Sequence, residues 1–302
     1  MKIQDQTKGY LFAFLAVLAT SNVFIFSKAA LNDISLAAFG FYWFLFGLLW
    51  NLLYSGKTGK LKQIKTFEKK QFLVLGVLGL LEIIGTTFFF LSIHTVPNPA
   101  IVSFLGNINP LIVTILGFII MKDRYNRPEI LGIALVLLGA FIISYKGGGQ
   151  LSSMFIKGAD YVLYAGIFFG FSAIITKRNV QKISPSILAL SRNVFLFSFS
   201  FIMLAIQGMN MQVGWYALWN MFIGSILGPF LTVTAGYQAY KYIEVSRVSI
   251  LGSTKGIFVM IGAFIYFGKF PETIQLIGGL ISILGVILIS VGKLLLKKKE
   301  SS

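Results

Sequence analysis

Hydrophobic positions run almost without interruption along this chain, in stretches of about 20 residues separated by short polar links. Ten such runs can be delimited, at 9–28, 36–55, 71–94, 99–121, 128–145, 158–177, 185–207, 214–240, 245–267 and 272–292. A helix of roughly 20 apolar residues crosses the ~30 Å hydrocarbon core of a bilayer. The runs are continuously apolar, whereas membrane β-strands alternate apolar with polar residues. The pattern therefore predicts an all-α integral membrane protein with ten transmembrane helices.

The composition agrees with a lipid environment. Hydrophobic residues make up 56% of the 302 residues and charged residues 12%. Soluble domains contain roughly 45–50% apolar and about 25% charged residues. Ten helices leave no room for a soluble domain. The first run is not expected to be a cleaved signal peptide, because nine further runs follow it.

The basic residues indicate how the helices are oriented. Lysine and arginine outnumber acidic residues 26 to 10, and with the N-terminus inside, the cytoplasmic links hold 20 of the 26. The opposite links hold 4, namely Lys28, Lys146, Lys157 and Lys269. Cytoplasmic links of membrane proteins are enriched in lysine and arginine. We therefore predict a multi-pass protein of the cell membrane with both termini cytoplasmic, including a basic tail at 293–302. Nucleic acid is not needed to explain the charge.

Several kinds of chemistry are unexpected in this chain. It contains no cysteine and one histidine, so disulfides, thiolate metal sites and cysteine nucleophiles are excluded, and a zinc site is not expected. Neither a nucleophile–base pair nor a cofactor-binding loop stands out. The sequence predicts no enzyme, no cofactor and no metal.

The chain also repeats itself. When 96–145 is placed on 242–291 without a gap, thirteen of 50 positions are identical, including Gly132 with Gly278 and Gly139 with Gly285. Each half then holds five apolar runs. Because five is odd, the second half would enter the membrane with the opposite polarity. Such inverted repeats recur in secondary transporters.

These repeats resemble a known family. The stretch LGNINPLIVTILGFIIMKDRYNRPEILGIALVLLGAFII (105–143) resembles the end of an EamA domain of the drug/metabolite transporter superfamily, and 239–290 resembles the same element. The stretch ISPSILALSRNVFLF (183–197) resembles the second-helix pattern of that family, with Arg192 at the arginine position. The family pattern is broken elsewhere, since its acidic residue after the fourth helix is Asp123 in one copy and Lys269 in the other.

The resemblance implies two tandem EamA domains, which we place at 9–145 and 158–292. It also implies a ten-helix bundle around a central cavity. Helices from the first, third, fourth, sixth, eighth and ninth runs would line this cavity, and transport would proceed by alternating access.

Ionisable residues inside spans are costly and are candidates for function. Lys255 lies near the middle of the ninth run and could hold a carboxylate or phosphate. Glu82 lies in the middle of the third run. It could pair with Lys255, bind a substrate ammonium or carry a coupling proton. If both share the cavity, the site suits a zwitterion such as an amino acid. Arg192, in the seventh run, is predicted to have a structural or gating role.

Polar residues on other runs complete the candidate site. On the fourth run, Asn107 and Asn109 lie about 200° apart around a helix, so both cannot face one cavity, and Pro110 should free a carbonyl there. The remaining candidates are Asn22 on the first run, Ser253 beside Lys255, and Thr234, Tyr237, Gln238 and the kink-forming Pro229 on the eighth run.

Three functions remain open from the sequence. The first is a transporter of amino acids or similar small metabolites, acting as an exporter, with protons as the candidate coupling ion. The second is a carrier of phosphorylated or nucleotide-linked metabolites, with Lys255 holding the phosphate. The third is a membrane scaffold without transport. The predicted partners are a small solute, protons and lipids, and a monomer is the default.

Overall fold

The computed structural model describes residues 3–121, 126–145, 155–208 and 210–300, and these residues are almost entirely helical. Thirteen α-helices are described: α1 (Ile3–Leu31), α2 (Leu36–Lys57), α3 (Lys69–Thr95), α4 (Pro99–Leu105), α5 (Ile108–Met121), α6 (Arg127–Ser144), α7 (Ala159–Asn179), α8 (Pro185–Ile206), α9 (Trp215–Ser225), α10 (Val233–Tyr242), α11 (Val245–Ser253), α12 (Lys255–Phe267) and α13 (Thr273–Glu300). A 3₁₀ helix (Lys60–Thr66) precedes α3, and a π-helical turn (Ile226–Thr232) joins α9 to α10.

Seven helical segments of the described chain are long and apolar enough to cross a membrane. Shorter apolar helices accompany them at Pro99–Val113, Leu251–Phe267 and Thr273–Ile289. This establishes a multi-pass, all-helical membrane architecture, while the number of crossings stays a prediction. The predicted tail at 293–302 continues the backbone of α13 as far as Glu300.

Polar residues mark where several helices begin. The Ser35 hydroxyl accepts a hydrogen bond from the Ala38 amide at the start of α2. Asn126 and Glu129 form a reciprocal capping box at the start of α6, at 2.9 and 3.0 Å. Such side chains satisfy amides that lack a partner in the first turn of a helix. The capping residues explain why these apolar runs start where they do.

The fourth and ninth runs each contain two helices joined by a tight turn, within two residues of equivalent places in the repeat. The turn between α4 and α5 lies at Gly106 and Asn107, and the turn between α11 and α12 lies at Thr254. Our expectation that Pro110 frees a carbonyl needs correction. The carbonyl four residues earlier, of Gly106, accepts the amide of Asn109 at 3.1 Å. A hydrogen bond between residues three apart thus replaces the bond between residues four apart that proline cannot donate.

The predicted kink at Pro229 takes the form of the π-helical turn between α9 and α10. Pro229 lies inside this turn and is buried. Its carbonyl accepts hydrogen bonds from the side-chain amides of Asn51 at 3.1 Å and Asn193 at 3.0 Å. These bonds tie α2 and α8 to the widened turn, so the distortion has fixed partners in its neighbours.

Equivalent glycines join the last helices of the two repeats. A Cβ at Gly132 would lie 2.6 Å from the Gly285 carbonyl oxygen, and one at Gly139 would lie 2.5 Å from that of Gly278. The partner of Gly132 is Gly285, and the partner of Gly139, further along α6, is Gly278, which lies earlier in α13. The two helices are therefore antiparallel. Gly132 is equivalent to Gly278 and Gly139 to Gly285. The contact is therefore reciprocal between the repeats, as a two-fold relation requires.

We expect Gly285→Ala to destabilise the protein by about 1–3 kcal/mol, the usual cost of overpacking. The added methyl would lie 2.7 Å from both the Gly132 carbonyl oxygen and the Val136 amide nitrogen. Thermal unfolding of the detergent-purified protein measures the loss. The matched control is Gly76→Ala in α3, where nothing lies within 4 Å of the new methyl. Equal unfolding temperatures for the two variants would contradict the tight packing of α6 against α13.

Candidate functional site

A cavity of about 360 Å³ lies in the interior of the bundle. Most of its lining is apolar or aromatic, including Phe24, Trp43, Phe44, Phe89, Phe90 and Phe169. Its polar side chains are Thr20, Glu82, Thr86, Asn109, Arg192, Thr232, Tyr237, Tyr240 and Lys255. All six runs that were predicted to line the cavity contribute residues to it. Helices α2 and α8, from the second and seventh runs, contribute residues as well. The volume is within the range of roughly 300–1,000 Å³ typical of small-molecule sites.

An ion pair crosses the wall of this cavity. The Arg192 Nε donates to Glu82 Oε2 at 2.7 Å, and Arg192 Nη2 donates to the Thr86 hydroxyl at 2.9 Å. The Ser172 hydroxyl donates to the other carboxylate oxygen, Glu82 Oε1, at 2.5 Å. Because α3 belongs to one repeat and α7 and α8 to the other, the pair joins the two repeats. Arg192, rather than Lys255, is the partner of Glu82.

Lys255 is the first residue of α12, and its ammonium borders the cavity. Its Nζ donates to the carbonyl of Gly252 at a long 3.4 Å. Among the described carboxylates, none forms an ion pair with it. Since Glu82 and Arg192 neutralise each other, Lys255 leaves the described cavity lining with one uncompensated positive charge. Such a cavity attracts an anionic group.

Of the two asparagines on the fourth run, Asn109 lines the cavity and Asn107 does not. Asn107 is 1% exposed, and neither of its side-chain polar atoms has a described partner. The Asn109 Oδ1 is also buried without a described hydrogen bond. Asn109 and Lys255, which are equivalent across the repeat, therefore face the same space.

On α10 the cavity face differs from the one predicted. Tyr237 lines the cavity as expected, together with Gly236 and Tyr240. Thr234 and Gln238 are absent from the described lining. A helix turns by about 100° per residue, which carries these two side chains round to another face. Tyr240 was missed, although its spacing of three residues from Tyr237 could have indicated it.

The polar residue of α1 that lines the cavity is Thr20, with Thr232 opposite it at 3.3 Å between hydroxyls. Asn22, which the sequence favoured, is exposed on the outside of the bundle and donates to the carbonyl of Leu18. The two positions lie about 200° apart on the helix. Ser253 is buried outside the described lining. The repeating face that includes Ala13, Ala16 and Thr20 was the signal available in the sequence.

A second cavity of about 180 Å³ adjoins the first. It shares Asn109, Tyr240 and Lys255 with the central cavity and adds Pro110 and Val245, among others. Val245 is the first residue of α11. The second cavity thus extends from Lys255 toward the end of the bundle where α10 ends and α11 begins.

At the other end of the bundle, the region between α1, α3 and α4 is closed. Its side chains are almost fully buried, as shown by Ala30, Leu31, Ile93, Val96 and Ala100. The Lys28 ammonium is buried among them and donates to three backbone carbonyls. Packed side chains therefore cover the central cavity where α1, α3 and α4 meet.

Comparison with known proteins places this architecture in context. The sequence model of the EamA-like transporter family matches residues 7–145 and 156–291 of this chain. An uncharacterized transporter of Bacillus subtilis, YyaM, is 25% identical over 72% of this chain and 71% of its own length. Another from Synechocystis, sll1164, is 22% identical over 76% of this chain and 68% of its own. A crystal structure of a protein 14% identical has the same fold, with a TM-score of 0.69 over 96% of this chain and 99% of that one.

Proposed function

Because the chain belongs to the EamA-like transporter family, we propose that it carries amino acids or similar small metabolites through the central cavity by alternating access. The relatives named above are called transporters. The observation that carries the choice of substrate is the ammonium of Lys255. It borders the cavity without a carboxylate partner among the described residues.

The anionic end of the solute is assigned to Lys255. Among the described residues, Nζ makes one weak hydrogen bond, at 3.4 Å, so it retains donors for a carboxylate. A hydrogen bond that involves a charged group contributes about 1.5–3 kcal/mol. One uncompensated cation suits a single carboxylate. A diphosphate would need several cations, which disfavours the alternative of nucleotide-linked solutes.

The ammonium end of the solute needs an acceptor other than Glu82. Both oxygens of Glu82 already accept hydrogen bonds, from Arg192 and Ser172. The Asn109 Oδ1 is buried without a described partner, and the residue Asn109 lines the same cavity. We assign the ammonium to this amide oxygen, and we propose Glu82 as the site of a coupling proton. In this proposal a zwitterionic solute binds with its carboxylate at Lys255 and its ammonium at Asn109.

Several features of the packing support alternating access. The antiparallel contact between α6 and α13 fits two inverted repeats, at 9–145 and 158–292, with ten crossings. With the N-terminus in the cytoplasm, as the basic links indicate, the second cavity lies toward the cytoplasmic face. We propose export across the cell membrane by a monomer with both termini inside.

The test is a thermal-shift screen of the purified protein against three ligand sets: amino acids, the matching carboxylic acids without the amine, and sugar phosphates with nucleotide sugars. A ligand at 100 times its Kd adds about 2.7 kcal/mol of stability. We expect amino acids to stabilise the protein most, since they engage both Lys255 and Asn109.

Each other outcome of the screen contradicts part of the proposal. Stabilisation by phosphate compounds alone would favour the second function. Equal stabilisation by amino acids and by the matching carboxylic acids would remove the role of Asn109. If no ligand stabilises the protein and reconstituted liposomes show no flux of the same compounds, the scaffold interpretation replaces transport.

A further inference from the structure

Two lysines at opposite ends of the bundle make the same contact. Lys28 near the end of α1 donates to the carbonyls of Ile93 at 2.9 Å, His94 at 3.0 Å and Val96 at 2.9 Å. These carbonyls lie at the end of α3, where Val96 is the capping residue. The last carbonyls of a helix lack partners within it and carry partial negative charge. The ammonium satisfies them.

The equivalent lysine of the second repeat is Lys177, near the end of α7, because KAALNDIS (28–35) aligns with KRNVQKIS (177–184) at an offset of 149. It donates to the carbonyls of Tyr240 at 2.5 Å and Ile243 at 2.9 Å. Ile243 caps α10. In both repeats the lysine therefore binds the capping carbonyl and the carbonyl three residues before it. The two contacts are independent evidence of the repeat, because the alignment of Lys28 with Lys177 rests on sequence alone.

The two contacts lie at opposite ends because the helices are antiparallel. Glu82 of α3 meets Ser172 of α7, and Phe88 further along α3 packs on Tyr164 earlier in α7. Lys28 is 6% exposed, at the closed end. Lys177 is partly exposed, and its partner Tyr240 lines both cavities. The same contact is thus present at the closed end and beside the open cavity.

We propose that Lys28 and Lys177 act as fasteners, which are contacts that hold the first and third helices of each repeat together throughout transport. Each face of the protein then opens between other helices, along a contact that we call the seam. A contact that is intact at both the closed and the open end need not break for opening. This inference rests on the proposed alternating access.

The seam that opens is identified by comparing equivalent residues. At the closed end, α12 packs on α4: a Cβ at Gly256 would lie 2.5 Å from the Phe104 ring, and Val259 is fully buried. The equivalents of Gly256 and Val259, offset by 146, are Pro110 and Val113, which line the second cavity. The contact between α4 and α12 is closed. The equivalent pair of helices in the repeat, α11 and α5, borders the second cavity instead.

Cross-linking tests the two parts separately, and the natural chain contains no cysteine. In Lys28→Cys/His94→Cys, a bifunctional thiol reagent bridges α1 to α3 in place of the lysine. In Ser103→Cys/Gly256→Cys, a disulfide closes the α4–α12 seam, where a Cβ at 256 lies 3.3 Å from the Ser103 hydroxyl. The readouts are the flux of radiolabelled amino acids in liposomes, and thermal unfolding.

The bridged 28–94 protein should keep at least half of the wild-type flux, and the oxidised 103–256 protein should keep less than a tenth until it is reduced. Lys28→Met should lower the unfolding temperature, and the 28–94 bridge should restore it. Lys157→Met, at an exposed lysine, is the control.

If the 28–94 bridge blocks flux as strongly as the 103–256 disulfide, the fastener is instead a gate. If Lys28→Met unfolds like the control, there is no fastener. The unfolding readout needs no solute, so it separates failure of this inference from failure of the proposed function.

Discussion

Lys255→Ala should weaken binding of the stabilising amino acid by about ten- to a hundredfold and reduce its flux in parallel. The reason is the loss of a charged hydrogen bond worth about 1.5–3 kcal/mol, where each 1.4 kcal/mol is about tenfold in affinity. Without ligand, the unfolding temperature should not fall, because no described carboxylate loses its partner. Ligand titration of the purified variant, followed by liposome flux, measures both effects.

Two variants give this experiment its controls. Lys182→Ala removes a lysine that is exposed and outside both cavities, and it should leave affinity unchanged. Asn109→Ala should weaken binding of the amino acid while leaving the matching carboxylic acid unaffected, because it removes an acceptor for the ammonium. Wild-type affinity in Lys255→Ala would refute the anion site, whatever the controls show.

Arg192→Met should destabilise the protein by about 3–5 kcal/mol, the usual cost of leaving one member of a buried ion pair alone. The affected partner is Glu82, which is 6% exposed and bonded to Arg192 at 2.7 Å. The double variant Glu82→Gln/Arg192→Met should recover most of the loss, because no uncompensated charge remains. Denaturant or thermal unfolding of the wild-type protein and the three variants completes the cycle.

Arg178→Met, at an exposed arginine, is the matched control for loss of a positive charge. Additive effects in the cycle would show that the pair is not coupled. The single variant Glu82→Gln also tests proton coupling, because glutamine neither takes up nor releases a proton. It should lose some stability because Arg192 loses its partner, and it should bind solute but lose flux driven by an acid gradient. Undiminished acid-driven flux would exclude Glu82 as the coupling group.

The cavity helices show why some site residues could be identified from sequence and others could not. Lys255, Glu82 and Arg192 stood out because charge inside an apolar run is costly wherever the run packs. Asn22 was chosen for its polarity, and Thr234 and Gln238 because they share one polar face at a spacing of four. The structure places all three outside the described cavity lining. Which face of an apolar helix meets the cavity depends on its neighbours, since lipid and a largely apolar cavity select similar side chains.

The sequence by itself determined that this is a helical, multi-pass membrane protein made of two related halves in a transporter family. Continuous apolar runs can be satisfied in lipid by helices, and matched glycines marked the repeat before their contacts were known. Tertiary structure decided the partners: Glu82 with Arg192, Asn109 beside Lys255, and Lys28 and Lys177 on the carbonyls of neighbouring helices. Those partners are 60 or more positions apart in the chain, and hydropathy and local spacing carry no information on which helices become neighbours.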